Sequence, residues 1–122
     1  MAMEGPAQRV CVYLSEADVW HGKPLARAIV LKAREMGLSG ATVAKGIGGY
    51  GPHRVLHRAA LIETEADLPV IVELVDRAER IAAFLPVLDE MMREGLVTVE
   101  DVRVVHYRPR PGASPEDPPG PA

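Results

Sequence analysis

The chain is poor in several residue types. Among its 122 residues there is one cysteine, one tryptophan, one phenylalanine and three tyrosines. A single thiol closes no internal disulfide, so a reducing compartment is expected and the localisation reads as cytoplasmic. Aromatics at 4% are too sparse for a platform on which bases stack. Positive charge is not in excess either. Fourteen Lys and Arg face 17 Asp and Glu, a net −3, which excludes a nucleic-acid binder driven by bulk charge. No apolar run approaches the roughly 20 residues that span a bilayer. The opening Met1-Ala2-Met3-Glu4-Gly5-Pro6 shows no basic region followed by an apolar stretch, so neither a leader nor membrane insertion is expected. What is present, 48% apolar and 25% charged residues, suits one globular domain.

The two ends differ from the middle. Residues 108–122 hold six of the 11 prolines and no large apolar side chain. Such a segment cannot bury enough surface to offset its ordering entropy, so a disordered, extended tail is expected there. Residues 1–7 read as a short mobile arm, and 8–107 as the domain.

Within the domain, strand and helix patterns alternate. Arg9-Val10-Cys11-Val12-Tyr13-Leu14 reads as a strand. Pro24 opens a helix whose apolar stripe is Leu25, Ala28, Ile29, Ala33 and Met36, and Gly37 ends it. Residues 41–47 read as a second strand, followed by a glycine-dense turn, 48–53. Residues 54–63 suggest a short strand leaving that turn. The run Leu68-Pro69-Val70-Ile71-Val72-Glu73-Leu74-Val75 is the strongest strand, apolar enough to predict burial on both faces. Asp76, with Glu79 three residues on, has the spacing of a capping box. Ile81, Phe84, Leu85, Leu88, Met91 and Met92 share one helical face, and Pro86 within it predicts a kink or a split. A last strand region, 96–107, is interrupted on paper by Glu100-Asp101.

This order predicts an α+β fold: a ferredoxin-like βαββαβ two-layer sandwich, with an antiparallel sheet and both helices on one face. Two helices cannot cover both faces of a sheet. The bare face predicts an oligomer.

Several stretches agree in order and spacing with one family. They are Pro24-Leu25 with Ala33-Arg34-Glu35-Met36-Gly37-Leu38, Gly40-Ala41-Thr42-Val43-Ala44-Lys45-Gly46-Ile47, Gly49-Tyr50-Gly51, Leu68-Pro69-Val70-Ile71-Val72-Glu73, Phe84-Leu85-Pro86 and Glu94-Gly95-Leu96-Val97-Thr98. In these, residues 9–106 resemble the PII-like signalling proteins, in the bacterial branch catalogued as a domain of unknown function. The resemblance implies a homotrimer with no catalytic activity. It also implies adenine-nucleotide clefts between subunits and a partner-sensing loop at residues 46–58. Gly49-Tyr50-Gly51 resembles the Gly-Phe-Gly at the start of the PII loop. One departure stands out. The glycine- and lysine-bearing phosphate loop of PII proteins is replaced by Glu94-Gly95-Leu96-Val97-Thr98-Val99-Glu100-Asp101, which does not favour a triphosphate.

The candidate ligand-binding residues are therefore Lys45, Gly46, Gly48, Gly49, Tyr50, Gly51, Arg54 and Arg58. The glycines permit close approach of backbone donors to an anion, and the three cations neutralise it. No P-loop or dinucleotide motif is present. No cofactor, catalytic residue or metal ligand is assigned. The alternative reading is a small enzyme or metal protein using His21, His53 and His57, and a third is an oligomeric adaptor without a ligand. His53 and His57 would lie roughly 13 Å apart along a strand, too far to chelate one ion together. Trp20 reads as a subunit plug or a base-stacking residue. Cys11 reads as a buried, inert side chain. His106 reads as incidental, and Glu63, Glu65 and Asp67 as a solvated edge.

Overall fold

A computed structural model describes residues 3–50, the backbone of 57–58, and residues 68–110. Four strands and two helices make up its frame: β1 (Gly5–Ser15), α1 (Leu25–Glu35), β2 (Ala41–Lys45), β3 (Pro69–Asp76), α2 (Ala78–Met91) and β4 (Leu96–Val104). The sheet order is β2-β3-β1-β4, with every neighbouring pair antiparallel. This is the ferredoxin-like α+β sandwich expected from the order of elements. Two-residue ribbons pair Val19–Trp20 with Lys23–Pro24, and Gly48–Gly49 with His57–Arg58.

The period-2 alternation of β1 and β3 makes the core. Val10, Val12 and Leu14 of β1 and Val70, Val72 and Leu74 of β3 turn to the helices and are buried. They meet Leu25, Ala28, Ile29 and Ala33 of α1 and Ile81, Phe84, Leu88 and Met91 of α2. Phe84 and Ile29 are fully enclosed. Truncating such a side chain to alanine costs about 3–5 kcal/mol for phenylalanine. Helix α1 ends in a Schellman motif, in which the amides of Gly37 and Leu38 donate to the carbonyls of Arg34 and Ala33 at 3.0 Å each.

Several expectations are corrected. Residues 5–7 belong to the sheet rather than to a mobile arm. Gly5, Pro6 and Ala7 pair with Val104, Arg103 and Val102, and Ala7 and Met3 are buried. Asp76 is not a helix cap. It closes β3, and Arg77 occupies the N-cap position without a side-chain cap bond. The buried Asp76 carboxylate instead accepts the amides of Ser39 at 2.8 Å and Arg77 at 2.7 Å. Pro86 does not split α2, which runs unbroken from Ala78 to Met91. Its ring and Ala82, whose carbonyl loses its donor, are both exposed, so water can replace the missing bond. Glu100 and Asp101 do not interrupt β4. Glu100 forms an ion pair with Arg9 across the strands, and Asp101 accepts from Gln8 Nε2 at 3.3 Å. Hydrogen bonding to Glu100 holds the Arg9 guanidinium above its ordinary pKa.

Helices cover only one face of β3. Its residues alternate buried and half-buried, so the apolar side chains Ile71 and Val75 lie on the other face with Glu73. Strand pairing aligns them with Tyr13, Arg9 and Cys11 of β1, and these in turn with Leu96, Glu100 and Thr98 of β4. Tyr13 is 40% and Leu96 55% exposed in the single chain, so this face carries uncovered apolar side chains beside Arg9, Glu73 and Glu100. The expected Pro-rich tail lies outside the described residues from 111 onward.

Candidate functional site

Strands β1 and β2 run parallel to each other with β3 antiparallel between them. Their C-terminal ends therefore meet the N-terminal ends of β3 and β4 at one edge of the domain. The register places Ser15 opposite Pro69, Lys45 opposite Val70, and Tyr13 opposite Leu96. The 46–58 segment leaves from this edge, and the 92–95 connection from α2 to β4 arrives at it.

The root of the segment is held by three contacts. The Gly46 amide donates to the Pro69 carbonyl at 2.8 Å. A Cβ at position 46 would lie 2.7 Å from Pro69 Cγ, so the close approach excludes a side chain. The Lys45 ammonium lies 2.5 Å from the Glu16 carboxylate. Glu16 is itself fixed, since its amide donates to the Leu68 carbonyl at 2.9 Å. Beyond the root, Gly48 pairs with Arg58 and Gly49 with His57. Gly49 has φ +135, a value that side-chain-bearing residues rarely adopt. Tyr50 and Ile47 point outward, 68% and 85% exposed. The structure thus brings Lys45, Gly46, Gly48, Gly49 and Tyr50 together at one rim. Gly51, Arg54 and the Arg58 side chain lie outside the described residues.

Glu16 and Asp18 are not among the ligand-binding candidates drawn from the sequence, yet they organise this edge. Asp18 Oδ2 accepts the Ser15 amide at 2.9 Å, and Ser15 Oγ accepts the Ala17 amide at 3.0 Å. Ser15-Glu16-Ala17-Asp18 is a polar turn of the Ser-x-x-Asp type, a signal legible in the chain. The Asp18 carbonyl then accepts the Leu25 amide at 2.9 Å and so leads into α1. Trp20 stacks on His21, with ring centroids 3.9 Å apart and planes 9° from parallel. Trp20 also packs against the core. His53 and the His57 side chain lie outside the described residues. Among the described residues no three His, Cys, Asp or Glu come together to hold a metal.

The α2 to β4 connection is shorter than the stretch compared with the PII phosphate loop. Thr98, Glu100 and Asp101 stand in β4, leaving residues 92–95 with Arg93 and Glu94. Gly95 has φ +127, and a Cβ there would meet the Tyr13 carbonyl oxygen at 2.9 Å. This packs the connection onto the end of β1. Beside it lies a groove of about 710 Å³, bounded by Leu85, Pro86, Asp89, Arg93 and Val97.

Cys11 is buried and free, with Sγ 4.0 Å from a Glu73 carboxylate oxygen. His106 Nδ1 lies 3.4 Å from Arg108 on an exposed surface.

This architecture is that of the PII-like proteins. The chain resembles a nitrogen regulatory PII-like protein, CPII, from Thiomonas intermedia K12, solved bound to ADP, AMP and bicarbonate. The TM-score is 0.55 at 21% identity, covering 81% of this chain and 88% of that one. It also resembles a PII-like signaling protein from Thermus thermophilus, with a TM-score of 0.59 at 19% identity over 83% of this chain and 91% of that one. In sequence, residues 7–104 match the DUF190 family, described as an uncharacterized ACR, and the chain belongs to that family. A UPF0166 protein of Aquifex aeolicus is 37% identical over 95 residues, 78% of this chain and 90% of the relative. A UPF0166 protein of Methanocaldococcus jannaschii is 38% identical over 94 residues, 76% of this chain and 86% of the relative.

Proposed function

We propose that this protein is a non-catalytic regulatory module, a homotrimer that binds a small anionic ligand in clefts between subunits. An adenine nucleotide is the leading ligand, and the 46–58 segment presents the changed surface to a partner protein. The observation that carries the reading is that the glycine-rich root, anchored on Pro69, and the 92–95 connection lie at the same end of the sheet, on its two outer strands. That end borders a sheet face which the helices leave uncovered.

The uncovered face supports the assembly. Tyr13, Ile71, Val75 and Leu96 lie on it, and Arg9 Nε is buried there without a hydrogen-bond partner among the described residues. A second subunit against this face would remove the apolar surface from water. The ligand reading draws support from CPII, which was solved with ADP, AMP and bicarbonate. The short, lysine-free 92–95 connection favours a mono- or diphosphate over a triphosphate. Switching requires that the ligand bind one arrangement of the 46–58 segment more tightly than the other.

Titration calorimetry with ATP, ADP, AMP, cyclic AMP and bicarbonate, together with light scattering for the mass, tests this reading. Binding by ADP or AMP to a particle of three chains supports it. No heat with any of them, together with an unshifted melting temperature, overturns the nucleotide reading. A single-chain mass overturns the inter-subunit cleft.

A further inference from the structure

The hairpin that joins β1 to α1 leaves the sheet at the end that carries the glycine-rich root. Asp18 closes its base. The Asp18 carboxylate accepts the Ser15 amide at 2.9 Å, and the Asp18 carbonyl accepts the Leu25 amide at 2.9 Å. Between these two bonds Val19 pairs with Pro24 and Trp20 with Lys23, so His21 and Gly22 form the two-residue loop. Both have positive φ, 50 and 77, as a type I′ turn requires. His21 is the one non-glycine residue with positive φ among the described residues.

Turn chemistry does not explain a histidine there. Asparagine, aspartate or glycine serves the first loop position of such a turn best, and a bulkier side chain in the left-handed region costs backbone energy. The imidazole is used as a ring instead. It lies on Trp20 with ring centroids 3.9 Å apart and planes 9° from parallel. Trp20 is half-buried and packs against the core, so the lower ring of the pair is fixed to the domain. His21 above it is exposed. Among the described residues its ring makes no hydrogen bond and stacks on no ring but Trp20. One face of the imidazole is thus covered by the indole, and the other is left to solvent. The result is a flat surface that is ordered before any ligand arrives.

We infer that the outer face of His21 stacks the purine base of the bound nucleotide. This assignment rests on the nucleotide reading above and adds where the base lies. The base becomes a third ring in the column begun by Trp20 and His21. Such stacking depends on a free ring face and not on an unpaired cation. Trp20 itself cannot take the base on the face that the imidazole already covers. The hairpin and the glycine-rich root share one end of the sheet, and the ion pair of Glu16 with Lys45 ties the residue that follows β1 to the start of that root.

Proton NMR of the imidazoles on the full chain tests this, with adenosine, AMP and ribose 5-phosphate as probes. The His21 signals are assigned by their loss in His21→Asn. Adenosine and AMP should move them upfield saturably and change the fluorescence of Trp20, the single tryptophan of the chain. Ribose 5-phosphate, lacking the base, should do neither. Asparagine favours the turn, so His21→Asn should keep or raise the melting temperature while AMP binding weakens about tenfold. His21→Phe keeps a flat ring and should hold AMP affinity to within about threefold. AMP binding by calorimetry with unmoved His21 signals, or with full affinity in His21→Asn, overturns the inference and leaves the nucleotide reading standing. Equal shifts with ribose 5-phosphate overturn it as well. No heat with AMP or ADP and no shift with adenosine overturn both. The ring shifts are read on the parent chain, so they decide the matter even if a variant folds poorly.

Discussion

The amide of Gly46 donates to the carbonyl of Pro69 at 2.8 Å, and a methyl group on Gly46 would lie 2.7 Å from Pro69 Cγ. Pro69 is a closed ring and cannot swing aside as a long side chain would. Gly46→Ala should therefore push the segment away from the strand end and cost about 1–3 kcal/mol. Thermal unfolding of the variant measures this, and a melting temperature equal to that of the parent would contradict the close approach.

Gly95 gives a harsher case. Its φ of +127 and the Tyr13 carbonyl at 2.9 Å from a built Cβ both oppose a side chain. Gly95→Ala should lose more stability than Gly46→Ala, about 2–4 kcal/mol. Urea titrations of the two variants side by side check the ranking.

Asp76 ties the start of β2 to the end of β3. Asp76→Ala leaves the Ser39 and Arg77 amides without their acceptor and should cost about 2–3 kcal/mol. Asp76→Asn keeps a carbonyl oxygen and should cost less. Hydrogen exchange at Ser39 should accelerate in the alanine variant ahead of the core amides.

The bare face of the sheet should hold the subunits together. Tyr13→Lys with Leu96→Lys places two charges on that face while leaving the helix-side core intact. Light scattering should then show a smaller particle with retained circular dichroism. An unchanged mass would move the subunit contact elsewhere.

If an anion meets Lys45, Glu16 competes with it. Glu16→Gln removes an ion pair of the partly exposed kind, worth about 0.2–1 kcal/mol, and with it one competitor for the ammonium. If a nucleotide phosphate meets Lys45, its affinity should rise by about two- to fivefold. Calorimetry showing weaker binding in this variant would remove Lys45 from the site.

Much of the frame was readable along the chain because it rests on local periodicity. The stripe Leu25, Ala28, Ile29 and Ala33 announced α1, and the apolar run from Val70 to Val75 announced a central strand. The same local reading misplaced Asp76, since a capping-box spacing looks identical whether or not the carboxylate is turned back toward Ser39. It also broke the last strand at Glu100 and Asp101. Those acids are at home in a strand once Arg9 and Gln8 stand opposite them, and pairing across β1 is invisible in the order of residues.

The division between chain and fold follows from range. Glycine at 46, 48 and 49, the polar turn at Ser15 to Asp18 and the alternation in β1 are properties of neighbouring residues, and they fixed where strands end and turns begin. Only the tertiary structure decided that Lys45 meets Glu16, that the 92–95 connection and the glycine-rich root lie at the same end of the sheet, and that Asp76 turns back toward Ser39. Those meetings depend on β1 and β2 running parallel with β3 between them, an arrangement set by burial of the whole core rather than by any segment alone.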